Sequence, residues 1–273
     1  MQSDTLYISD LDGTLLDDTS RVSDTSASII SDLSLHGAMI TVATARTPAT
    51  VEPLLHNTHT TCPAIVMTGA ALWERSTLQL VDTHLFASSV ASDIVTAFAR
   101  HDLNPFTYVV TDDSHLEVYH SSTFNSSEQE FYNARRHLKK FHLGVQPTHS
   151  ALGHTILIFG IDAASKVNAL AAELSQRHDC SVSCYPDIVT PSQALIEVFA
   201  PQVSKANAVK ALASTLGAKR IVVFGDNLND LSMMSVADLS VAVDNALPQV
   251  KEAADMVIGP NSSDSVAHFI AQD

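Results

Sequence analysis

Two aspartates, Asp10 and Asp12, follow the short apolar run 5–9 and stand directly before Gly13. At positions i and i+2 their carboxylates can lie on the same side of the chain, and glycine lets the backbone turn away sharply. Two carboxylates at a buried strand end are costly unless a cation or a proton neutralises them. The simpler alternative is a turn with acidic caps. We interpret the pair as part of a site that binds a cation or shares a proton.

A second acidic cluster, Asp226-x-x-Asn229-Asp230, follows another apolar run at 220–224. Alone, it could be a helix N-cap whose charge suits the helix dipole. In open α/β sheets, ligands bind outside the carboxyl ends of the strands, so we expect the two clusters to meet there. Four carboxylates at one edge demand a hard cation, and their oxygen ligands suit Mg²⁺.

Two further side chains could bind the oxygens of a phosphoryl group. Thr44 ends a continuous apolar run at 38–43, where its hydroxyl can donate a hydrogen bond. Lys205 starts a predicted helix, which is an unfavourable place for a cation because the helix N-terminus is itself positive. We therefore interpret Lys205 as compensating a nearby anion. The alternatives are an ordinary strand-end threonine and a solvated lysine.

The elements that must position these residues alternate between strand and helix at both ends of the chain. Strands are predicted at 5–9, 38–43, 64–67, 220–224, 239–243 and 256–258, and helices at 23–36, from Pro48 and at 205–216. This alternation is typical of a doubly wound, mostly parallel α/β sheet.

The middle of the chain has a different pattern, in which two strand-like runs flank the turn at 112–114. Helices are predicted at 88–101, 125–140 and 163–178, and strands at 106–111, 115–120, 154–161, 181–185 and 194–199. Hairpins mixed with helices indicate an α+β module. We therefore predict one α/β core formed by residues 1–81 and 200–273, with residues 82–199 inserted as a cap.

Composition excludes several classes of protein. The chain has 273 residues, with 30 acidic and 15 basic side chains, and its net charge is −15. Such a charge argues against a general nucleic-acid binder and against docking on anionic lipid. No apolar run approaches the roughly 18 residues that span a bilayer, and the first residues lack the pattern of a secretory signal. Three cysteines without a CxxC pair are expected to be reduced thiols in a cytoplasmic protein.

Four of these motifs, in chain order, resemble those of the haloacid dehalogenase-like phosphatase superfamily. They are Asp10-Leu-Asp-Gly-Thr, Ala43-Thr44-Ala-Arg46, Ser204-Lys205 and Gly225-Asp226-Asn-x-Asn229-Asp230. The long insertion after the Thr-Gly-Ala run at 68–70 is similar to the α/β cap of the Cof-type branch. Five residues depart from the usual pattern without removing a reacting group, namely Ala45, Thr68, Ala206, Asp244 and Ser265. Substrate contacts of the relatives are therefore not carried over to this chain.

The resemblance implies a role for each motif residue. Asp10 would be the nucleophile that forms an aspartyl phosphate, and Asp12 would protonate the leaving group and later activate water. The implied Mg²⁺ ligands are Asp10, the backbone carbonyl of Asp12, and Asp226. Thr44 and Lys205 would bind phosphoryl oxygens, with Arg46 as a further cation. Asn229 and Asp230 would position the neighbouring groups of the site without binding the metal ion or the phosphate themselves.

The implied function is a Mg²⁺-dependent phosphatase acting on small phosphorylated metabolites, in particular sugar phosphates, with the cap setting specificity. Two alternatives use the same fold: a sugar phosphomutase with the same aspartate nucleophile, and a non-catalytic regulatory protein. The sequence identifies neither the substrate nor the oligomeric state.

Overall fold

A computed structural model describes residues 4–187 and 190–273. The chain divides into two compact units, one made of the described residues up to Val81 together with Ser204–Asp273, the other of Asp82–Val203. Residues 1–3 and 188–189, which belong to the predicted core and cap, lie outside the described residues. The roles of catalytic core and specificity cap stay predictions. Within the described ranges, no helix combines the length and hydrophobicity needed to cross a bilayer.

The first unit begins with alternating strands and helices. Its elements are β1 (Thr5–Ser9), α1 (Asp24–Leu35), β2 (Met39–Val42), α2 (Pro48–Leu55), β3 (Ala64–Val66), β4 (Ala71–Glu74) and β5 (Gln79–Val81). All five residues of β1 are buried, as expected for a central strand of a parallel sheet. The sequence predicts each of these elements except the short hairpin of β4 and β5.

The second unit is built around a six-stranded sheet. Its elements are α3 (Ser88–Arg100), β6 (Phe106–Val110), β7 (Leu116–His120), α4 (Ser126–Arg135), β8 (Lys140–Leu143), α5 (His149–Leu152), β9 (Thr155–Ala163), α6 (Ala164–Leu174), β10 (Ser181–Pro186) and β11 (Gln193–Phe199). The strand order is β10-β11-β9-β6-β7-β8. Neighbours are antiparallel except for the parallel pair β7 and β8.

The predicted helix at 125–140 is wrong in its C-terminal part. Helix α4 ends at Arg135, and the chain then forms strand β8 beside β7. Two basic side chains of β8 contact the Glu117 carboxylate of β7 at 2.6 and 2.8 Å. Phe141, between them, packs against aromatic side chains of the same unit. Residues 136–139 form turns and a bend, and of the predicted helix only Lys140 lies in the strand, where these contacts favour the extended conformation.

The chain then returns to the first unit. The remaining elements are α7 (Lys205–Leu216), β12 (Arg220–Gly225), α8 (Leu231–Met234), β13 (Leu239–Val243), α9 (Pro248–Ala253), β14 (Met256–Ile258) and α10 (Ser265–Gln272). With β1 and β2 the strands form a parallel sheet in the order β14-β13-β12-β1-β2. A parallel bridge between Ala43 and Ile65 places β3 next to β2. The predicted fold class, a parallel α/β sheet with an inserted α+β segment, is confirmed.

The register of the sheet brings the loops of interest to one edge. Ser9, the last residue of β1, lies opposite Phe224 of β12 and Val42 of β2. The next residue, Asp10, continues the ladder by donating from its backbone nitrogen to the Phe224 carbonyl at 3.0 Å. The three loops that follow these strands therefore start at the same level, at the carboxyl ends where α/β proteins place their sites.

One segment beside this edge has an unusual backbone. Thr68 has φ +59° and ψ 20°, and it lies between Met67 (φ +50°) and Gly69 (φ +95°). A Cβ atom on Gly69 would lie 2.5 Å from the Ser204 carbonyl oxygen, so glycine is required for the close approach to the start of α7. No such close approach explains the threonine at position 68, and the left-handed region disfavours a β-branched residue.

We expect Thr68→Asn to stabilise the protein, by about 1 kcal/mol, because asparagine tolerates the left-handed conformation better than threonine does. Equilibrium urea denaturation measures the free energy of unfolding. Thr96→Asn, on the exposed part of the regular helix α3, serves as the control and should give no gain. An unchanged or lower stability for Thr68→Asn would show that the threonine conformation carries no strain.

Candidate active site

A buried lysine joins two aspartates at the edge of the sheet. Lys205, the first residue of α7, is 0% exposed, and its Nζ donates to Asp10 Oδ1 at 2.5 Å and to Asp230 Oδ1 at 2.8 Å. Ser204 caps the helix by accepting a hydrogen bond from the Asn207 backbone nitrogen. The lysine at the helix start thus lies beside anions, which offsets its unfavourable place on the helix dipole.

Burial governs the protonation of these groups. It raises the pKa of Asp10 to about 7, outweighing the attraction of Lys205, and repulsion by Asp230 adds to the effect. Burial and then repulsion by Asp230 also raise the pKa of Asp226 to about 6. For Lys205, burial opposes the charge, but the attraction of the two aspartates dominates and raises its pKa. With all three carboxyls ionised the site would hold more negative charge than Lys205 balances, and the repulsion by Asp230 in both shifts has this cause.

The loop after β12 is held by its own aspartate. Asp230 Oδ2 accepts hydrogen bonds from the backbone nitrogens of Asp226 at 3.0 Å and Asn227 at 3.1 Å. Because Asp230 Oδ1 is bound to Lys205, both of its oxygens are occupied by protein donors. This arrangement suits a residue that positions its neighbours, as predicted for Asp230.

The loop after β1 packs directly on Asp226. Thr14 Oγ1 donates to Asp226 Oδ1 at 3.0 Å. Gly13 has φ +77°, and a Cβ atom there would lie 2.5 Å from Asp226 Oδ2, so no other residue fits without displacing the carboxylate. The first acidic pair and the second acidic cluster are thereby brought together, as their positions at strand ends predict.

Three carboxylates at this point could hold a metal ion. Asp10, Asp226 and Asp230 each offer an oxygen, and the three oxygens lie within 4.8 Å of one another. Hard carboxylate oxygens are the donors that Mg²⁺ prefers. Since Asp230 already accepts three hydrogen bonds, Asp10 and Asp226 are the better ligands. The residues present therefore fit a divalent cation, which would also offset the excess negative charge.

Arg46 contacts Asp12 in this structure. Its Nε donates to Asp12 Oδ2 at 2.7 Å and its Nη2 to Asp12 Oδ1 at 2.6 Å, a bidentate pair. The hydrogen bonds that Arg46 donates to Asp12 raise the pKa of Arg46 against the effect of burial. The pair is partly exposed, in contrast to the buried Lys205. The predicted contact between Arg46 and a phosphoryl group stays a prediction.

Thr44 is buried and its backbone is tied to the neighbouring loop. Its backbone nitrogen donates to the Ile65 carbonyl, and its carbonyl accepts from the Thr68 nitrogen, both at 3.0 Å. Its Oγ1 accepts a hydrogen bond from the Arg46 nitrogen at 3.1 Å. A hydroxyl that accepts one bond still has its own hydrogen to donate. Thr44 can therefore contribute a neutral donor, as its position predicts.

The structure does not give Asn229 a supporting contact. Asn229 is exposed, and its side chain makes no hydrogen bond to any other described residue. Asn227 makes the supporting contact in this loop instead, since its Oδ1 accepts a hydrogen bond from the Leu228 backbone nitrogen at 2.7 Å. Sequence reasoning missed Asn227 and Thr14, although both stand inside the quoted motifs. The role of Asn229 stays a prediction.

The comparisons with known proteins identify the family. Residues 7–270 match the family model of haloacid dehalogenase-like hydrolases, and the chain belongs to this family. Within it, the chain is of the Cof type and is a phosphatase of the haloacid dehalogenase-like class, so both predictions are confirmed.

Relatives and solved structures cover almost the whole chain. The chain is 27% identical over 265 residues to 5-amino-6-(5-phospho-D-ribitylamino)uracil phosphatase YcsE of Bacillus subtilis, covering 96% of this chain and 92% of that protein. A haloacid dehalogenase-like hydrolase from Bacteroides thetaiotaomicron has a TM-score of 0.79 at 20% identity, over 98% of both chains. A subclass IIB sugar phosphatase has a TM-score of 0.71 at 18% identity, also over 98% of both. The two structures show the shared fold.

Proposed function

We propose that this protein is a Mg²⁺-dependent phosphatase that hydrolyses small phosphorylated metabolites, in particular sugar phosphates, through an aspartyl phosphate on Asp10. The observation that carries the proposal is the buried Lys205, which binds Asp10 and Asp230 at the carboxyl edge of the parallel sheet. The names of the relatives support the substrate class, because they include a phosphoribitylamino-uracil phosphatase and a sugar phosphatase.

Asp10 has the properties of a nucleophile. Lys205 favours its ionised form and fixes Oδ1, so that the second oxygen is left for attack on phosphorus. Lys205 would neutralise charge on the phosphoryl oxygens during transfer, and the Thr44 hydroxyl would donate a hydrogen bond to one of them. A bound Mg²⁺, held by Asp10, Asp226 and the backbone carbonyl of Asp12, would supply charge neutralisation on the same oxygens.

Asp12 must offer a carboxyl oxygen to the leaving group to act as an acid, whereas both of its side-chain oxygens accept hydrogen bonds from Arg46 in this structure. We therefore infer that Arg46 leaves Asp12 for the phosphoryl group when substrate binds. This exchange would give Arg46 its predicted phosphate contact and would free Asp12 to protonate the leaving oxygen. After transfer, Asp12 would accept a proton from the attacking water.

Metal removal tests the proposal directly. Treatment with EDTA should abolish phosphate release from 4-nitrophenyl phosphate and from a panel of sugar phosphates. Added Mg²⁺ should restore it, while Ca²⁺, with its larger coordination shell, should not. Asp226→Asn should raise the Mg²⁺ concentration needed for half-maximal activity. Asp18→Asn, which replaces an exposed aspartate, should leave that concentration unchanged. Full activity in EDTA would contradict the metal-dependent mechanism.

The same panel separates the two alternatives. A sugar phosphomutase would convert one sugar phosphate into its isomer, with a bisphosphate activator, and release little phosphate. A regulatory protein would release none and convert none.

The proposed partner is a small phosphorylated molecule rather than nucleic acid or membrane, in line with the net charge of −15. Cys62, Cys180 and Cys184 are free thiols, which supports a cytoplasmic location.

A further inference from the structure

The turn that carries Asp12 is anchored from the C-terminal part of the first unit. The Gly13 carbonyl accepts a hydrogen bond from Asn245 Nδ2 at 2.7 Å, and Asn245 Oδ1 accepts one from the Asn261 backbone nitrogen at 2.9 Å. A backbone N–H can only donate, so the amide oxygen of Asn245 must face Asn261. Its NH₂ group must then face Gly13. The orientation of the Asn245 amide is therefore fixed by chemistry.

A second asparagine holds the end of the same turn. Asn261 is buried, and its Nδ2 donates to the Leu16 carbonyl at 2.8 Å. Within the turn, the Leu15 and Leu16 backbone nitrogens donate to the carbonyls of Asp10 and Leu11, at 3.3 and 2.9 Å. The two asparagines thus hold the turn at its middle and at its end.

Gly13 lies between two residues of the proposed active site. On one side of Gly13 lies Asp12, and on the other lies Thr14, whose hydroxyl binds Asp226. Asp12 has no support from a buried side chain, since its only hydrogen-bond partner among the described residues, Arg46, is itself partly exposed. The direction of the Asp12 carboxylate therefore depends on the backbone of the turn, and Asn245 is the side chain that fixes it there.

We propose that Asn245 is a positioning residue for the phosphatase reaction, which aims the Asp12 carboxylate at the leaving oxygen by holding the Gly13 carbonyl. The inference rests on the proposed function. It predicts that kcat/KM, which reports the steps up to formation of the aspartyl phosphate, falls only for an ester whose leaving group needs the proton of Asp12. A sugar alkoxide needs that proton, whereas a nitrophenolate leaves without it.

The test compares two esters in the intact, Mg²⁺-supplied protein. Asn245→Ala should lower kcat/KM about tenfold for the best sugar phosphate of the panel and about twofold or less for 4-nitrophenyl phosphate. Asn245→Asp keeps the acceptor for Asn261 but loses the donor to Gly13, so it should lose at least as much. Asn57→Ala is the matched control, because it removes an asparagine that donates to the Val22 carbonyl elsewhere in the unit. It should change neither value.

Amide hydrogen exchange of residues 10–16, followed by mass spectrometry, measures local opening of the turn independently of enzyme activity. Exchange should rise about tenfold in Asn245→Ala and stay at the wild-type rate in Asn57→Ala. Unchanged exchange would overturn the anchoring role, and equal losses on both esters would overturn the link to Asp12. A wild-type protein that hydrolyses neither ester would overturn the proposed function and the catalytic consequence together, while the exchange result still decides the anchoring.

Discussion

Asp10→Asn should be inactive toward every phosphate ester, whereas Asp12→Asn should still react once with an activated one. The first variant loses the nucleophile. The second keeps it, and because nitrophenolate needs no proton to leave, 4-nitrophenyl phosphate should still phosphorylate Asp10. Hydrolysis of the aspartyl phosphate then lacks its base. Stopped-flow absorbance should show a burst of at most one nitrophenolate per enzyme, followed by slow turnover.

Two results would contradict this division of roles. Steady turnover of Asp12→Asn at the wild-type rate, without a burst, would leave Asp12 as a structural carboxylate. Turnover by Asp10→Asn would place the nucleophile elsewhere. Asp18→Asn changes the charge of an exposed aspartate a few residues further on and should behave as the wild type.

Lys205→Met should lower both the free energy of unfolding and kcat/KM. The variant leaves Asp10 and Asp230 buried without their shared cation, and breaking a buried ion pair from one side costs about 3 kcal/mol or more. The loss of a fixed positive charge at the phosphoryl oxygens should lower kcat/KM about a hundredfold or more. Urea denaturation and steady-state kinetics measure the two effects.

A double variant separates stability from catalysis. Lys205→Met combined with Asp230→Asn removes one negative charge with the positive one, so it should regain much of the lost stability and remain inactive. Lys219→Met removes an exposed lysine paired with Asp4 and should change neither quantity. Wild-type activity in the double variant would show that Lys205 serves only the fold.

The buried parts of the site could be predicted from the sequence, because burial limits what a residue can do. Asp10 follows an apolar strand, and Lys205 starts a helix where a cation is unfavourable. Each position is explained only by a partner of opposite charge, and the structure shows them in contact. The sheet was predictable for the same reason, since apolar runs at 5–9 and 220–224 require a buried place.

The exposed and long-range parts could not be predicted in this way. Arg46 has a long side chain at the surface, so its sequence position does not show that it contacts Asp12, 34 residues away. Asn245 is exposed, and its bond to the Gly13 carbonyl joins residues 232 apart. Strand β8 was missed because its partner strand, rather than its own propensity, makes it extended.

The strand order also determines when the site can form during synthesis on the ribosome. Strand β1 occupies the inside of the sheet, yet its neighbour β12 begins at Arg220, opposite Thr5. One edge of β1 therefore stays unpaired while the whole inserted segment is made. Closing this long loop is entropically costly and slow, so the nascent chain carries an aggregation-prone edge until β12 has been made. The 195-residue separation between Lys205 and Asp10 means that the reacting groups can be assembled only after the whole inserted segment has been made.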